Sequence, residues 1–190
     1  MKNYLLVAAT LFVGLGLYAI AQDETAKKQA GAETKKSEFT RLTIDLGVVV
    51  SDIDAAVEFY TTAIGFQETG GFDVDADFAK YSGLTNGQPL AIKVLKLGNG
   101  PGATSLKLME AEGPSAKANH DYIESTLGVS YLTISVSDMA AAVERLSAAS
   151  VEPIANGPAT IPSTDPPMAL TLVRDPDGNL VELVGPAAKR

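Results

Sequence analysis

The chain contains one phrase twice. The stretch VVVSDIDAAVEFYTTAIGF at residues 48–66 returns in shortened form as ISVSDMAAAVERL at residues 134–146. In each copy an apolar, β-branched run precedes Ser-Asp, whose short polar side chains cap helix amino termini, and helically spaced apolar residues follow. Two copies are too few for a solenoid. The repeat therefore predicts two modules of the same fold, packed as a pair whose sheets curve round a shared cavity.

The order of elements is also the same in both halves. The first half begins with a strand over Leu42–Val50 and a helix over Ile53–Ala63, which Gly65 ends. The second half begins with a strand over Tyr131–Val136 and a helix over Met139–Ala149. The residues 175–179, DPDGN, are typical of a hairpin turn. Further strands are predicted after each helix, at Leu90–Leu97, Ser105–Ala111, Ala169–Arg174 and Leu180–Val184, with a weak strand around Phe66–Asp75.

The amino terminus differs in composition from the rest. Residues 1–21 combine Lys2, an apolar run and a small-residue cleavage pattern before Gln22, which predicts a signal peptide and an exported, periplasmic or extracellular protein. The alternative is an uncleaved membrane anchor, which would be the chain's only membrane contact. Residues 22–40 are polar and lack apolar periodicity, so they predict a flexible linker.

Charge and composition exclude several functions. The net charge of −8 disfavours nucleic acid as a partner, because its phosphates would be repelled. The chain has no cysteine, so disulfides, thiolate nucleophiles and cysteine-ligated zinc are excluded. It has one histidine, His120, in the predicted link between the halves, where a solvated surface position is the simpler interpretation.

Three stretches together resemble the vicinal oxygen chelate superfamily, which includes glyoxalase I, extradiol dioxygenases and bleomycin-resistance proteins. They are GVVVSDIDAAVEFYTTAIGF, its echo LTISVSDMAAAVERL and the closing RDPDGNLVEL. The resemblance covers residues 41–186, with modules at 41–112 and 127–186. It implies an α+β fold of paired βαβββ modules whose curved mixed sheets form a cup, in agreement with the repeat.

Strand alternation selects the residues that face this cup. Side chains of a strand point alternately to opposite faces, and the helices must cover the aliphatic face. The mixed, more polar face is left for the cup. The predicted ligand-binding residues are therefore Asp45, Lys107, Met109, Tyr131, Thr133 and Glu182.

Four of these residues occupy the positions of the family's metal ligands. Asp45 and Tyr131 each lie seven residues before a helix-capping aspartate, where the family usually has histidine, and Lys107 and Glu182 lie on the last strands of the two modules. A lysine ammonium has no lone pair for a metal, and tyrosine is a poor ligand unless ionised. No metal or other cofactor is therefore favoured; Asp45 and Glu182 are the candidates for an oxygen-only divalent site. The favoured alternative is an ion-pair cluster with Lys107 between Asp45 and Glu182, and Tyr131 donating a hydrogen bond.

Two further features are interpreted from the sequence. The segment GGFDVDADFAKYSG at residues 70–83 lacks the glycine and glutamate of a calcium loop, and it predicts a mobile lid over the cup that uses Phe72, Phe78 and Tyr81. Arg174, just before the DPDGN turn, is a candidate clamp for an anion or a partner of Asp175 or Asp177.

Three functions remain open at this point. The first is an exported binding module for a small organic molecule, with the bleomycin-resistance branch as the analogy. The second is a divergent metal-dependent lyase, isomerase or dioxygenase that uses Asp45 and Glu182, or Lys107 as an acid or base. The third is a structural homodimer with a vestigial cup. The sequence does not decide whether the modules pair within one chain or across such a dimer, or whether any reaction is catalysed.

Overall fold

A computed structural model describes residues 43–111 and 116–187, and these residues lie in one compact unit. The predicted signal peptide and linker lie outside the described residues. Both predicted modules are present. The strands of the first are β1 (Leu46–Val49), β2 (Gln67–Val74), β3 (Leu90–Lys96) and β4 (Ser105–Ala111); those of the second are β5 (Tyr131–Ser135), β6 (Ala159–Thr160), β7 (Met168–Arg174) and β8 (Leu180–Pro186).

Each module forms its own four-stranded mixed sheet. The orders are β1-β4-β3-β2 and β5-β8-β7-β6, so the two sheets have the same topology. The first strand of each module runs parallel to the last, and the other pairings are antiparallel. The predicted α+β fold of paired βαβββ modules is confirmed, including the weak strand at β2. The least predictable strand is β6, which has only two residues and lies inside the proline-rich segment after the second module's helix.

In the described part of the chain, three α-helices accompany the sheets: α1 (Ile53–Glu58), α2 (Ala76–Ser82) and α3 (Met139–Ala148). The aspartates of the repeated phrase cap α1 and α3, because Asp52 accepts from the Ala55 amide and Asp138 from the Ala141 amide. The α1 helix continues as a π-helical segment, Phe59–Ile64, before Gly65 ends it at φ 99°. That left-handed conformation carries little cost for glycine. Among the described residues no helix is long and apolar enough to cross a membrane.

The two modules share one hydrophobic core within the chain. Tyr60, Leu106 and Leu108 of the first module and Leu146 and Leu183 of the second belong to the same buried cluster. The α1 and α3 helices lie on this side of the sheets. Arg145 of α3 donates to the carbonyl oxygens of Ala63 and Ile64, both at 3.0 Å, and so joins the modules at the end of the first helix.

The opposite face of each sheet is called the cup face below. In the first module a second apolar cluster lies on it: Leu90, Ile92 and Met109 pack with Ala79 of α2. The segment that the sequence predicted as a lid therefore continues β2 and forms a capped helix seated on the cup face, with Asp75 accepting from the Phe78 amide. Its mobility stays a prediction.

Candidate functional site

Lys107 and Asp45 form an ion pair at the edge of the first module's cup face. Lys107 Nζ lies 3.1 Å from Asp45 Oδ2, and the two side chains are 37% and 18% exposed. Lys107 lies opposite Gly47 in the β1–β4 register. Because glycine has no side chain, β1 places no side chain beside the Lys107 ammonium at that position. The ion pair that the sequence analysis favoured between these two residues is confirmed.

Glu182 makes a different contact in the second module. Thr133 lies directly opposite it in the β5–β8 register, and the Thr133 hydroxyl donates to Glu182 Oε2 at 2.7 Å. No lysine, arginine or histidine nitrogen of the described residues lies within 4.0 Å of the Glu182 carboxylate. The predicted cluster with Lys107 between two carboxylates is therefore wrong for Glu182. Lys107 pairs with Asp45, whereas Glu182 accepts from Thr133.

The remaining two predicted cup residues have separate surroundings. Met109 packs against the apolar cluster beneath α2, and its Cε lies over Gly47, the residue opposite Lys107. Tyr131 is half-exposed and lines a cavity of about 240 Å³ at the seam between β1 and β5, together with Gly47 and His120. No hydrogen bond of the Tyr131 hydroxyl is found within the part of the chain that the structure describes.

Residues 116–130, which connect β4 to β5 and are called the linker between the modules, cross the cup face of the second module. Arg174 binds this linker there. The guanidinium donates to the carbonyl oxygens of His120 at 2.7 Å, Asp121 at 2.9 Å and Gly178 at 3.0 Å. Arg174 thus binds backbone carbonyls, not the Asp175 or Asp177 carboxylate that the sequence suggested. His120 lines two adjoining cavities at the seam, so it is not the plain surface residue of the sequence interpretation.

A third cavity, of about 350 Å³, lies on the cup face of the second module. Leu172 and Leu180 form part of its lining, and they stand directly opposite Glu182 and Tyr131 in the strand register. The linker residues Tyr122 and Ile123 line it from the other side. Sequence reasoning missed this cavity. Strand alternation was the available signal, because Leu172 shares a face with Glu182, but the contribution of the linker had no signal in the sequence.

A buried carboxylate connects the two modules behind the cup. Asp175 is buried and accepts from the Tyr60 hydroxyl at 2.9 Å, from the Asp177 amide at 3.0 Å, and from the backbone and side-chain amides of Asn179, both at 2.8 Å. Burial, followed by the negative charge of Asp175, raises the pKa of Tyr60 well above its usual range. The phenol therefore stays protonated and remains a donor.

Asp177 makes a second connection at the same turn. Its Oδ2 accepts from the Ser51 amide at 2.9 Å, and Lys117 Nζ lies 3.6 Å from its Oδ1. Burial opposes the charged form of Asp177, but the hydrogen bonds from Ser51 and the charge of Lys117 outweigh it, so the pKa of Asp177 is lowered. The turn DPDGN therefore holds the modules together through both of its aspartates.

The donor set formed by the four residues that the resemblance placed at metal positions fits a metal poorly. It comprises an ammonium, a phenol and two carboxylates, and each carboxylate has a protein partner. Within residues 43–111 and 116–187, no group of three or more histidine, cysteine or acidic side chains could hold a metal ion. An ammonium repels a cation and donates no electron pair to it.

Comparison with known proteins supports the fold. The sequence pattern of the Glyoxalase/Bleomycin resistance protein/Dioxygenase superfamily matches residues 43–183. A glyoxalase family protein from Bacillus cereus is similar in structure, with a TM-score of 0.62, 22% identity and coverage of 81% of this chain and 99% of that one. A glyoxylase/bleomycin resistance protein/dioxygenase domain from Frankia sp. gives a TM-score of 0.51, 21% identity and coverage of 81% and 95%.

The fold and the paired cup faces thus define a two-module βαβββ domain. The chain belongs to the Glyoxalase/Bleomycin resistance protein/Dioxygenase superfamily. No protein of curated function matches the sequence. The structural similarities, at 22% and 21% identity, concern the fold alone.

Proposed function

We propose that this domain binds a small organic molecule on its cup face and no longer uses the superfamily's metal. The observation that carries the proposal is the ion pair of Lys107 and Asp45, at 3.1 Å, on two of the four positions where the family's ligands are expected. The ammonium supplies a fixed positive charge near Asp45. Removing that ammonium would take away a favourable charge contact of a carboxylate that is largely shielded from water.

The second carboxylate supports the same proposal. Glu182 accepts from Thr133, so one of its oxygens already has a donor, and the two carboxylates belong to different modules. A divalent metal such as Mg²⁺ requires six closely placed oxygen ligands, usually including several waters. A site with Asp45 and Glu182 would also have to accommodate the Lys107 charge. The alternative, a metal-dependent lyase, isomerase or dioxygenase, therefore requires a rearrangement of both contacts.

A metal titration tests this half of the proposal. The purified protein, prepared without chelator or tag-derived metal, is dialysed against Mg²⁺, Mn²⁺, Ni²⁺ and Zn²⁺ in turn, and its metal content is measured. In each case we expect less than about 0.1 equivalent of metal per protein chain, a level that adventitious binding can reach. Near-stoichiometric metal that disappears in both Asp45→Ala and Glu182→Ala would refute the proposal and favour the enzyme.

A substitution adds a positive control to the metal experiment. Lys107→Glu replaces the ammonium by a third carboxylate on the cup face, close to Asp45. Position 107 in β4 is equivalent to that of Glu182 in β8. We expect this variant to bind Mn²⁺ more tightly than the wild-type protein, because an anionic ligand replaces a repelling cation. Lys96→Glu makes the same charge change on an exposed lysine of β3 that has no carboxylate within 4.0 Å among the described residues, and it should not bind Mn²⁺.

Binding of organic molecules is tested separately. A panel of small amines, alcohols and carboxylic acids is screened by thermal unfolding, in which a ligand of the native state raises Tm. Hits should lose their effect in Leu172→Trp, whose ring would occupy the cup face beside Glu182. Ser147→Trp places the same ring on an exposed position of α3 and should leave the hits unchanged. A panel without hits, or hits equally strong in both variants, would argue for a cup without a binding function.

Export is part of the proposal. It rests on the sequence of residues 1–21 and not on the described structure. When the full chain is expressed in a bacterium, we expect the mature protein in the exported fraction to begin at Gln22. A protein that keeps Met1 and remains with the membrane would support the alternative of an amino-terminal anchor.

A further inference from the structure

We propose that the 350 Å³ cavity on the second module's cup face selects a cationic amphiphile: a small molecule with an apolar body and a protonated amine. This rests on the proposed binding function and adds the class of ligand. The volume lies in the range of about 300–1,000 Å³ that is usual for small-molecule sites. The proposal combines two properties of the cavity, an apolar lining and an acidic rim.

The apolar lining comes from both sides of the cavity. Leu170, Leu172 and Leu180 line it from the sheet, and Ile123 and Ile154 from the linker and from the segment beside β7. Ile154 is held at that edge by its amide, which donates to the Leu172 carbonyl at 2.7 Å. Apolar area removed from water contributes roughly 25 cal/mol per Å², so an aromatic or alkyl body is favoured here.

The charged residues of the lining are all acidic. Asp121 and Glu124 line the cavity, and none of the described residues of its lining is a lysine, arginine or histidine. Among the described residues, no basic nitrogen lies within 4.0 Å of either carboxylate. Glu182 lies opposite Leu172 on the same face but outside the cavity lining, and its Oε2 accepts from Thr133.

The cations of the cup faces lie outside the cavity lining. The Arg174 guanidinium lies next to Asp121 and donates to three backbone carbonyls, which leave its positive charge in place, so it offsets one of the two lining carboxylates. Lys107 is paired with Asp45 in the other module. The negative rim therefore favours a cationic head group, and the chain's net charge of −8 acts in the same direction. The seam cavities differ, because Lys117 and Asp177 line one of them as a compensated pair.

Three probes that differ only in their head group test the proposal. Phenylbutylamine, phenylbutanol and phenylbutyrate are titrated into the purified protein by calorimetry, at neutral pH and low ionic strength. We expect the amine to bind on the order of tenfold more tightly than the carboxylate, with the alcohol between them, as charge contacts at partly exposed positions allow. Added salt should narrow the difference.

Matched double variants locate the effect. Asp121→Asn with Glu124→Gln should weaken binding of the amine several-fold, roughly in proportion to the two lost charges, and leave binding of the alcohol unchanged. Glu58→Gln with Glu144→Gln removes the same two charges from exposed helix positions and should leave the order of the probes as in the wild-type protein.

Three results would overturn the inference. Equal affinity for all three probes would show an apolar site without charge selection, and the proposed binding function would stand. An amine preference that survives in Asp121→Asn with Glu124→Gln would place the recognition elsewhere. Absence of binding by every probe, while the thermal screen still yields a ligand sensitive to Leu172→Trp, would refute the cationic amphiphile alone.

Discussion

The hydrogen bond between Tyr60 and Asp175 gives the sharpest test of how the modules are joined. Tyr60 is fully buried, and its hydroxyl donates at 2.9 Å to a buried carboxylate of the other module. Tyr60→Phe keeps the ring and removes this donor. A hydrogen bond to a charged group contributes about 1.5–3 kcal/mol. Because Asp175 keeps three amide donors, we expect a loss near the lower end, about 1.5–2 kcal/mol in the free energy of unfolding.

The same bond makes stability depend on pH in the alkaline range. The raised pKa of Tyr60 means that the native state keeps the phenol proton, while the unfolded chain releases it above about pH 10. The contribution is complete below that pH, and it then decreases by about 1.4 kcal/mol per pH unit as pH rises. Tyr60→Phe removes this dependence, so the variant's deficit should shrink between about pH 10 and pH 11.

Urea unfolding followed by circular dichroism, at a series of pH values, measures both effects. Tyr81→Phe is the control, because Tyr81 is 91% exposed and its hydroxyl loss should change stability by less than about 0.5 kcal/mol. If Tyr60→Phe were as stable as the wild-type protein at neutral pH, the bond would not stabilise the pairing. A deficit that stayed constant above pH 10 would refute the account of the Tyr60 proton.

Three other substitutions test contacts between the modules and within the first one, each by the same unfolding measurement. Arg145→Met should cost about 2 kcal/mol, because it leaves two carbonyls at the end of the first helix without their donor, whereas Glu144→Gln should be neutral. Asp177→Asn should remove a stabilisation that the wild-type protein has above about pH 4 and loses as pH falls, since its pKa is lowered. Gly71→Ala should cost more than about 1 kcal/mol, because the added Cβ would approach a carbonyl oxygen of β3, and Gly100→Ala meets no atom within 4 Å.

Each of these three predictions has a contradicting result. A neutral Arg145→Met would mean that water replaces the guanidinium at both carbonyls. If Asp177→Asn lost stability at low pH as much as the wild-type protein does, another carboxylate would be responsible for that loss. A stable Gly71→Ala would mean that the β2 edge moves freely enough to admit a methyl group.

Much of the fold could be predicted because its determinants are local. Ser-Asp before a helically spaced run predicted both capped helices, and the structure has Asp52 and Asp138 in that role. Alternation along the strands predicted which faces are aliphatic, and Leu106 and Leu183 are indeed buried in the shared core. The ion pair of Lys107 with Asp45 followed from the same reasoning.

The rest depended on contacts between distant residues. Local pattern did not indicate that Glu182 would accept from Thr133 instead of meeting Lys107, because that depends on the distance between the two sheets. Nor could it place Arg174 on three backbone carbonyls, since carbonyls carry no sequence signal. The segment at residues 70–83 is similar: Asp75 is a helix cap, and Ala79 anchors the helix on the cup face.

Spacing along a few consecutive residues was thus enough to predict the two modules, most of their strands, the helices α1 and α3 and the chemical types on the cup face. Which charges pair and where a cavity remains open followed instead from the packing of the modules. The linker segment with Tyr122 and Ile123 illustrates the reason, because nothing in its composition indicates that it closes a cavity over Leu172. Burial and charge pairing are properties of neighbours in space, and chain order specifies those neighbours only after the modules have packed.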